Sequence, residues 1–469
     1  MQLEFTINKL KTQAIKIFFN LFFLLFLTIL ILPINCKKSF ANIAIIRDRE
    51  IEKFLHDLAD PIFIQAGLNP KEIDIYIIND DNINAFVSDG QKVFINTGLI
   101  RKYSTPDALI GVIAHETGHI AGGHLARTSE GMEDAQGAMI LSYLLGISAI
   151  AAGSVDAGSA IILGGSQSAE RLMIKYTRNQ EESADSLALD YLEAIKYPAN
   201  GLIKVLSFFN SQMIGYKNQI DEYLLSHPIS SKRIELIKER SKNQNFSNQK
   251  INNKLQQQMM ITQAKLEGFL DSTEDLIKKY QDKNDFYAKY VKAIAYFRKG
   301  QLEQSLQNID SLIDENPKQG FLYDLKGQIL FESSKNHQAI ISYNQAIKLL
   351  SAQDSALTKI SFAIALINIE KDDQQLLELA IKNLKQAKKF EANNPILFKT
   401  LSSIYAKLGK KIDANLSLAE FNLLIDQHKK CLKLVDDAIT EIDKDLANFQ
   451  QEKLKANDLK HFCTKDIDK

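Results

Sequence analysis

This sequence has little cysteine and no net charge. Its 469 residues contain only 3 cysteines, and Cys431 and Cys463 lack the spacing of zinc ligands. The 57 Lys and Arg residues balance the 57 Asp and Glu residues. This balance excludes nucleic acid or an anionic membrane surface as the main partner, because both require an excess of positive charge. Hydrophobic residues make up 45% of the chain, enough for packed cores, and the length allows two or three domains.

The central motif is His115-Glu116-Thr117-Gly118-His119. In a helix, residues four apart share a face, so the imidazoles of His115 and His119 can bind one Zn²⁺. Glu116 then lies beside the metal and can take a proton from a water whose pKa zinc lowers to about 7. This HExxH pattern is typical of zinc peptidases, although two ordinary buried histidines also produce it. An apolar helical face precedes it, formed by Leu109, Val112 and Ile113.

A zinc site of this kind needs a third protein ligand. The metzincin pattern HExxHxxGxxH requires a histidine where this chain has Leu125, and because His124 is one residue off, we reject this interpretation. Further along, Glu181 and Asp185 are four residues apart in a helical stretch and share a face. Glu181 would complete a His₂Glu site, and Asp185 would orient a ligand imidazole. The alternative is a solvated, acidic start of a helix.

The HExxH motif, followed by Glu181-Glu182-Ser183-Ala184-Asp185, resembles the gluzincin family of the CAAX prenyl proteases and HtpX-type heat-shock proteases. In that family an ExxAD motif carries the third ligand. The resemblance implies that the metal ligands are His115, His119 and Glu181. It also implies that Glu116 and Asp185 are the catalytic carboxylates. Glu116 would be the base, and Asp185 would orient the imidazole of a metal ligand. The family register favours Glu181 over Glu182 as the ligand.

A longer resemblance covers most of the chain, from about Arg47 to about Asp426. Over this length the sequence is similar to the periplasmic branch with C-terminal tetratricopeptide repeats, the beta-barrel assembly-enhancing proteases. This resemblance implies the periplasm of a Gram-negative bacterium. It also implies misassembled outer-membrane barrel proteins as substrates and their assembly machinery as the partner.

The N-terminal segment, residues 1–41, has the features of a signal peptide. Three lysines precede an almost wholly apolar run at 17–32, and small residues end the segment before a cleavage that we predict after Ala41. The alternative is an uncleaved membrane anchor. Export would place Cys431 and Cys463 in an oxidising compartment, where they either form a disulfide or remain two free thiols. Their separation in the sequence does not decide between these states.

Residues 47–100 predict a helix followed by a small sheet. Strand patterns occur at 74–78, at 84–87 and at 92–95, and the last two flank a hairpin signal at 88–90. In the resembled family, the strand that here carries Asn84, Ala85 and Phe86 lies beside the zinc cleft. A substrate could add there as an extra strand through main-chain hydrogen bonds. The alternative is that these residues form ordinary core strands.

Two further segments keep several interpretations open. Residues 137–155 contain no charged side chain, and their glycines and serines suit a buried helical hairpin, an interfacial helix, or least well a membrane span. His227, in Ser226-His227-Pro228, could stabilise substrate or occupy the open zinc position and keep the enzyme latent. It could equally be a capping or packing histidine.

The C-terminal half has a repeat of about 34 residues, the tetratricopeptide period. Its small-residue position recurs at Ser305, Ala339, Ala380 and Ala414, and the longer middle step indicates an insertion, placed at 371–375. We therefore predict a metallopeptidase domain at 42–245, a helical connector at 246–285, a repeat array at 286–426 that recruits protein partners on its concave face, and capping helices at 427–469.

The sequence as a whole predicts a mainly α protein. A zincin-type α+β metallopeptidase domain with a small sheet precedes an α-helical tetratricopeptide-repeat array. We expect a periplasmic endopeptidase with one Zn²⁺ per chain, protein substrates, no nucleic-acid partner, and peripheral membrane contact, if any, through residues 137–155. The alternatives are a repeat-based chaperone or assembly scaffold with minor or latent protease activity, and a membrane-embedded peptidase.

Overall fold

The computed structural model describes residues 45–88, 91–124, 177–215, 227–242, 252–369 and 373–465. The predicted signal peptide at 1–41 and the uncharged segment at 137–155 lie outside these ranges. Among the helices within them, none combines the length and the apolar character that crossing a membrane would require.

The first part of the chain is a helix and a small sheet. Helix α1 (Arg49–Gln65) begins where the Asp48 carboxylate accepts a hydrogen bond from the backbone N–H of Ile51 at 3.0 Å. Its apolar stripe is buried against the sheet strands, as the helical spacing predicts. The strands are β1 (Ile45–Ile46), β2 (Asp74–Ile78), β3 (Ala85–Ser88) and β4 (Lys92–Asn96).

The sheet order is β1-β2-β4-β3. Strand β2 pairs with β1 antiparallel and with β4 parallel, whereas β3 and β4 form the predicted antiparallel hairpin, with Phe86 opposite Phe94. Within the described part of the sheet, β3 has a single strand neighbour and is therefore an edge strand. The hairpin prediction is confirmed, and the edge carries the residues proposed to meet substrate.

Five further helices belong to the described residues of this N-terminal part. After α2 (Thr97–Lys102) come α3 (Asp107–Ala121), α4 (residues 177–194), α5 (Asn200–Gly215) and α6 (Ser231–Lys242). Helix α3 is buried over most of its length and contains the HExxH motif. A Cβ atom at Gly118 would lie 2.7 Å from the Ala184 carbonyl oxygen. Glycine at this position therefore allows α3 and α4 to approach closely, which brings their side chains to one site.

The rest of the described chain is an array of helices. The connector consists of α7 (Asn253–Leu270) and α8 (Thr273–Tyr280). Four packed helix pairs follow, α9 (Phe286–Arg298) with α10 (Leu302–Glu315), α11 (Gly320–Glu332) with α12 (Asn336–Leu349), α13 (Ala356–Ile367) with α14 (Gln374–Ala387), and α15 (Pro395–Lys407) with α16 (Lys411–Leu424). The helices α17 (His428–Ile442) and α18 (Gln450–Thr464) follow these pairs.

The predicted crossing positions are where these helix pairs meet. Ser305, Ala339, Ala380 and Ala414 are all buried. Of the insertion predicted at 371–375, residues 371 and 372 lie outside the described ranges, and Gln374 and Gln375 belong to α14. The fold class is confirmed as a mainly α protein with an α+β peptidase part and a helical array. The domain boundaries and the assignment of the pairs to tetratricopeptide repeats remain predictions.

Two of the three cysteines form a disulfide. Cys431 on α17 and Cys463 on α18 are both buried, and their Cα atoms are 5.8 Å apart. The structure thus selects the bonded state from the two alternatives that the sequence left open. The bond ties the last two helices of the chain together.

Ion pairs join the start of α1 to the helical array, and we call these contacts the ionic seam. Arg47 pairs with Glu391 at 3.0 Å, and Arg49 pairs with Asp354 at 3.1 Å. Lys265 is buried and contacts both Asp48, at 2.7 Å, and Glu50, at 3.1 Å. The buried Lys265 of α7 therefore fixes the position of α1, since breaking either of its ion pairs would leave an uncompensated buried charge.

Candidate metal centre

Four segments bring the predicted site residues together. Helix α3 supplies His115, Glu116 and His119, and α4 supplies Glu181 and Asp185. The residues before α6 add His227, and α6 itself adds Arg233. All seven side chains are buried. The spacing of four residues on α3 and on α4 turns each pair of side chains to one face, as the sequence predicts.

The centre consists of four side chains that each offer one ligand atom. The ligand atoms of His115, His119, Glu181 and His227 all lie within 4.8 Å of one another. The Nε2 atom of His119 is 3.2 Å from the Nε2 atom of His115 and 3.2 Å from Oε1 of Glu181. The Nδ1 atom of His227 is 3.1 Å from the same Glu181 oxygen. Two neutral imidazoles, a carboxylate and a further imidazole are the donor types that Zn²⁺ prefers.

Behind these four groups lies a buried ionic network. Oδ1 of Asp185 is 3.0 Å from Nδ1 of His115, the imidazole nitrogen that points away from the centre. Arg233 donates two hydrogen bonds to Asp185, at 2.7 and 2.9 Å, and contacts Glu181 at 2.8 Å. It also donates to the carbonyl oxygen of Pro228 at 2.8 Å. One guanidinium therefore holds both carboxylates of α4 and the segment that carries His227.

Glu116 differs from the other two carboxylates. It is fully buried, and neither of its oxygens has a hydrogen-bond partner among the described residues. The Nε2 atom of His227 lies 3.5 Å from Oε1 of Glu116. Burial raises the pKa of the Glu116 carboxyl. An unpaired buried carboxylate costs stability, and a group of this kind suits proton transfer.

The charges of the cluster fit a divalent cation. Glu116, Glu181 and Asp185 contribute three negative charges and Arg233 one positive charge, so with neutral imidazoles the buried net charge is −2. Burial lowers the pKa of His115, but its hydrogen bonds to Asp185 and Glu181 outweigh that effect and raise it to about 10. The protein groups alone thus favour added positive charge at this point. A metal ion satisfies that demand while the imidazole stays neutral, as ligation requires.

The sequence missed two contacts of this site. The sequence assigns no role to Arg233, and the one available signal is its place on the face of α6 that also carries the buried Ile234 and Ile237. His124, which we rejected as a ligand, is indeed not in the four-residue group. Its Nδ1 atom instead lies 3.1 Å from Nδ1 of His119, behind the metal-facing side of that ring.

The predicted substrate strand packs against α3. Ala85 and Phe86 lie in β3, and Asn84 immediately precedes it. Asn84 and Ala85 are buried, while the Phe86 ring stacks on Phe94 with ring centroids 4.9 Å apart. The edge strand and the metal-binding helix are thus in contact.

Comparison with known proteins agrees with this geometry. Residues 46–241 match the model of peptidase family M48. The chain is 22% identical to the beta-barrel assembly-enhancing protease of Yersinia pestis over 412 residues, 86% of this chain and 82% of that protein. It is 25% identical to the protein of the same name from Escherichia coli K12 over 308 residues, 63% of this chain and 61% of that protein. The mitochondrial metalloendopeptidase OMA1 of Saccharomyces cerevisiae is 31% identical over 183 residues, 38% of this chain and 49% of that protein.

Proposed function

Residues 46–241 belong to peptidase family M48 and form a zinc metallopeptidase domain, and on this premise we propose that the chain is an exported endopeptidase that degrades misassembled outer-membrane barrel proteins. The single observation that carries the peptidase activity is the buried cluster of His115, His119, Glu181 and His227 beside the unpaired Glu116. The location and the clients rest on the relatives and on the disulfide.

In this proposal each polar side chain of the centre has one role. His115, His119 and Glu181 hold the cation, and Asp185 fixes the ring of His115 from behind. When bound, Zn²⁺ supplies Lewis acidity, which polarises a carbonyl oxygen and lowers the pKa of water. Arg233 holds Glu181 and Asp185 in position through its ion pairs with both carboxylates.

Glu116 moves the proton. Its carboxylate oxygens accept no hydrogen bond from the described residues, so they are available to a water molecule. Since burial raises the pKa of this carboxyl, it is a stronger proton acceptor than an exposed glutamate. Glu116 takes the proton of the attacking water and later returns it to the leaving amine of the substrate.

Strand β3 selects substrates by their backbone. An extended peptide would add to the edge at Ala85 and Phe86 and form main-chain hydrogen bonds, which carry little sequence preference. A folded barrel offers no free strand, because every strand is paired. A misassembled barrel exposes unpaired strands, and these are the segments that an open edge can bind.

His227 keeps the site latent in this proposal. Its Nδ1 atom is 3.1 Å from Glu181 Oε1 and 3.3 Å from His115 Nε2, so the ring lies where water and substrate would need to approach. We expect His227→Ala to raise peptidase activity several-fold by opening that position. Unchanged activity of the variant would refute both the latency role and a substrate-stabilising role.

Export and barrel clients have separate support. The relatives from Yersinia pestis and Escherichia coli are named beta-barrel assembly-enhancing proteases. A disulfide such as Cys431–Cys463 persists in an oxidising compartment, and the bacterial periplasm is one. The helical array would recruit the clients or the assembly machinery, as stacked helix pairs commonly bind protein partners.

A chaperone or scaffold is the second candidate function. It is favoured by an apolar groove of about 520 Å³ between α12 and α14, the second helices of adjacent pairs. Ile341 is 70% exposed and Leu379 is 39% exposed along this groove. Exposed aliphatic side chains in a groove are typical of protein-binding surfaces. Binding of clients there is compatible with cleavage at the metal centre.

Glu116→Gln separates the two functions. The variant should retain about one zinc per chain and bind unfolded barrel protein, but its cleavage rate should fall by about 10²–10⁴-fold. The assay follows cleavage of an outer-membrane barrel protein in its unfolded and folded states. We expect only the unfolded state to be cleaved by the wild type. Equal cleavage by the variant would refute the peptidase mechanism, and binding without cleavage by the wild type would favour the scaffold.

A further inference from the structure

We infer that His124 is a positioning residue of the metal centre, and that it fixes the ring orientation and the tautomer of His119. The inference rests on the proposed role of His119 as a metal ligand. The contact that carries it is the distance of 3.1 Å between the Nδ1 atoms of His119 and His124. Both side chains are buried, so no bulk water competes for this contact.

The end of helix α3 is shaped to return His124 to the helix. The N–H of Gly122 donates to the Gly118 carbonyl at 2.9 Å and closes the helix, and Gly123 then adopts a positive φ of 62°. A Cβ atom at Gly122 would lie 2.5 Å from Nε2 of His124. These glycines let the chain reverse and place the His124 ring against the last turn of α3.

The protonation that metal binding requires of His119 sets the direction of its hydrogen bond with His124. Its Nε2 atom points at Glu181 Oε1 and His115 Nε2, each 3.2 Å away, and must be free of a proton to bind a cation. A neutral imidazole then carries its proton on Nδ1, which donates to Nδ1 of His124. His124 is therefore the acceptor, and its own proton is on Nε2.

A second contact ties His124 to the opposite helix. The side-chain N–H of Gln180 donates to the carbonyl oxygen of His124 at 3.0 Å. Gln180 directly precedes Glu181, so α4 positions the carboxylate ligand and the residue behind His119 together. The two imidazole ligands are thus held by different chemistry. His115 has the carboxylate of Asp185 behind it, whereas His119 has a neutral imidazole, which keeps the buried net charge at −2.

The spacing explains why His124 holds a ligand rather than becoming one. A histidine at the metzincin position would be residue 125, which is Leu125 here. At 124 the ring reaches the outer nitrogen of His119 and lies outside the four-residue group. The same glycine-terminated helix thus supports a different third ligand, Glu181, which comes from α4.

The test compares zinc affinity among full-length variants by competition with a chromophoric chelator. His124→Ala removes the acceptor and should weaken zinc binding by about 10–100-fold, the usual effect of losing a group behind a ligand. His124→Asn should stay within about threefold of the wild type, because the Asn amide oxygen can take the place of the imidazole Nδ1. His56→Ala is the matched control, since it removes an imidazole paired with Asp60 on α1.

Each outcome decides the inference. Wild-type affinity in His124→Ala, or equal weakening in His124→Asn, would overturn it. If His124→Ala does not fold, His124→Gln replaces it. The Gln side chain carries the same amide as Asn, but its extra methylene moves the amide oxygen away from Nδ1 of His119. Equal zinc affinity of the Gln and Asn variants would then overturn the inference. The absorption spectrum of the Co²⁺-loaded chain gives a second readout, expected to change in His124→Ala only. A wild-type chain that binds no metal would instead refute the metallopeptidase itself.

Discussion

Replacing Glu181 by alanine tests which carboxylate of α4 completes the metal centre. The Glu181 side chain is 2% exposed and lies within 3.4 Å of His115, His119 and His227. Burial raises the pKa of its carboxyl, but the charge of His227 and the hydrogen bonds from the three histidines lower it well below its usual range. The side chain is therefore an anionic ligand at neutral pH. Its removal reduces the buried negative charge from −2 to −1 and leaves only the imidazoles of His115, His119 and His227 as donors, with no anionic ligand.

The expected loss is large enough to measure in two ways. Wild-type protein should hold about one zinc per chain after dialysis, and the variant should hold almost none. Metal at about 1,000 times its Kd stabilises a folded protein by about 4 kcal/mol, which is about 8–16 °C in Tm for a domain of this size. We expect this zinc-dependent rise in Tm to vanish in Glu181→Ala. Elemental analysis and thermal melts with and without added zinc check both effects.

Glu182→Ala is the matched control. The neighbouring carboxylate is 46% exposed, and its ion-pair distance to Lys232 is 3.9 Å. Surface pairs of this kind contribute little, so the variant should bind zinc and melt as the wild type does. If Glu182→Ala lost zinc while Glu181→Ala retained it, the register of the ligand helix would be wrong and the proposed centre with it.

Three further predictions concern packing, the disulfide and pH. Gly118→Ala should lower stability by about 1–3 kcal/mol and weaken zinc binding, since the added methyl would press on the Ala184 carbonyl at 2.7 Å; calorimetry with zinc titration checks this, and unchanged binding would contradict it. Replacing Cys431 and Cys463 by alanine opens a loop with a sequence separation of 32 residues. The free energy of unfolding should fall by about 2–4 kcal/mol, with peptide cleavage unchanged. Reduction of the wild type should give the same melting curve as the variant. Burial raises the pKa of Glu267, but hydrogen bonds from Lys279 and the neighbouring tyrosines lower it below 4.5. Its contribution to stability is present above that pH and is lost on acidification, so thermal melts at about pH 7 and about pH 3 should show Glu267→Gln destabilised mainly at the higher pH.

Local spacing in the sequence predicted much of the fold and the centre. The strand patterns placed β2, β3 and β4 to within one residue. The two patterns of four-residue spacing, in His115–His119 and Glu181–Asp185, correctly paired side chains on common helix faces. Periodicity of 2 and 3.6 residues is a short-range property, and it is visible in a single sequence.

Contacts between distant segments could not be read in the same way. The ion pairs of Arg233 join α6 to α4, and nothing in the local pattern of either helix names the other. The position of His227 beside Glu181 and the pairing of Cys431 with Cys463 stayed open for the same reason. Each depends on how the intervening chain folds back, which a single sequence does not encode as a spacing.

The ionic seam has a consequence for the order in which the molecule is completed. Arg47 and Glu391 are 344 residues apart in the chain, and Arg49 and Asp354 are 305 apart. Contacts of such long sequence separation form late, because the loop between them must close first, and a polypeptide emerges from its N-terminal end. Arg47 and Arg49 therefore acquire their partners in the array only after residues 354 and 391, which flank the third helix pair, have been synthesised. Chains that stop before residue 354 lack both of these partners, so the salt bridges of Arg47 and Arg49 to the array require the second half of the array.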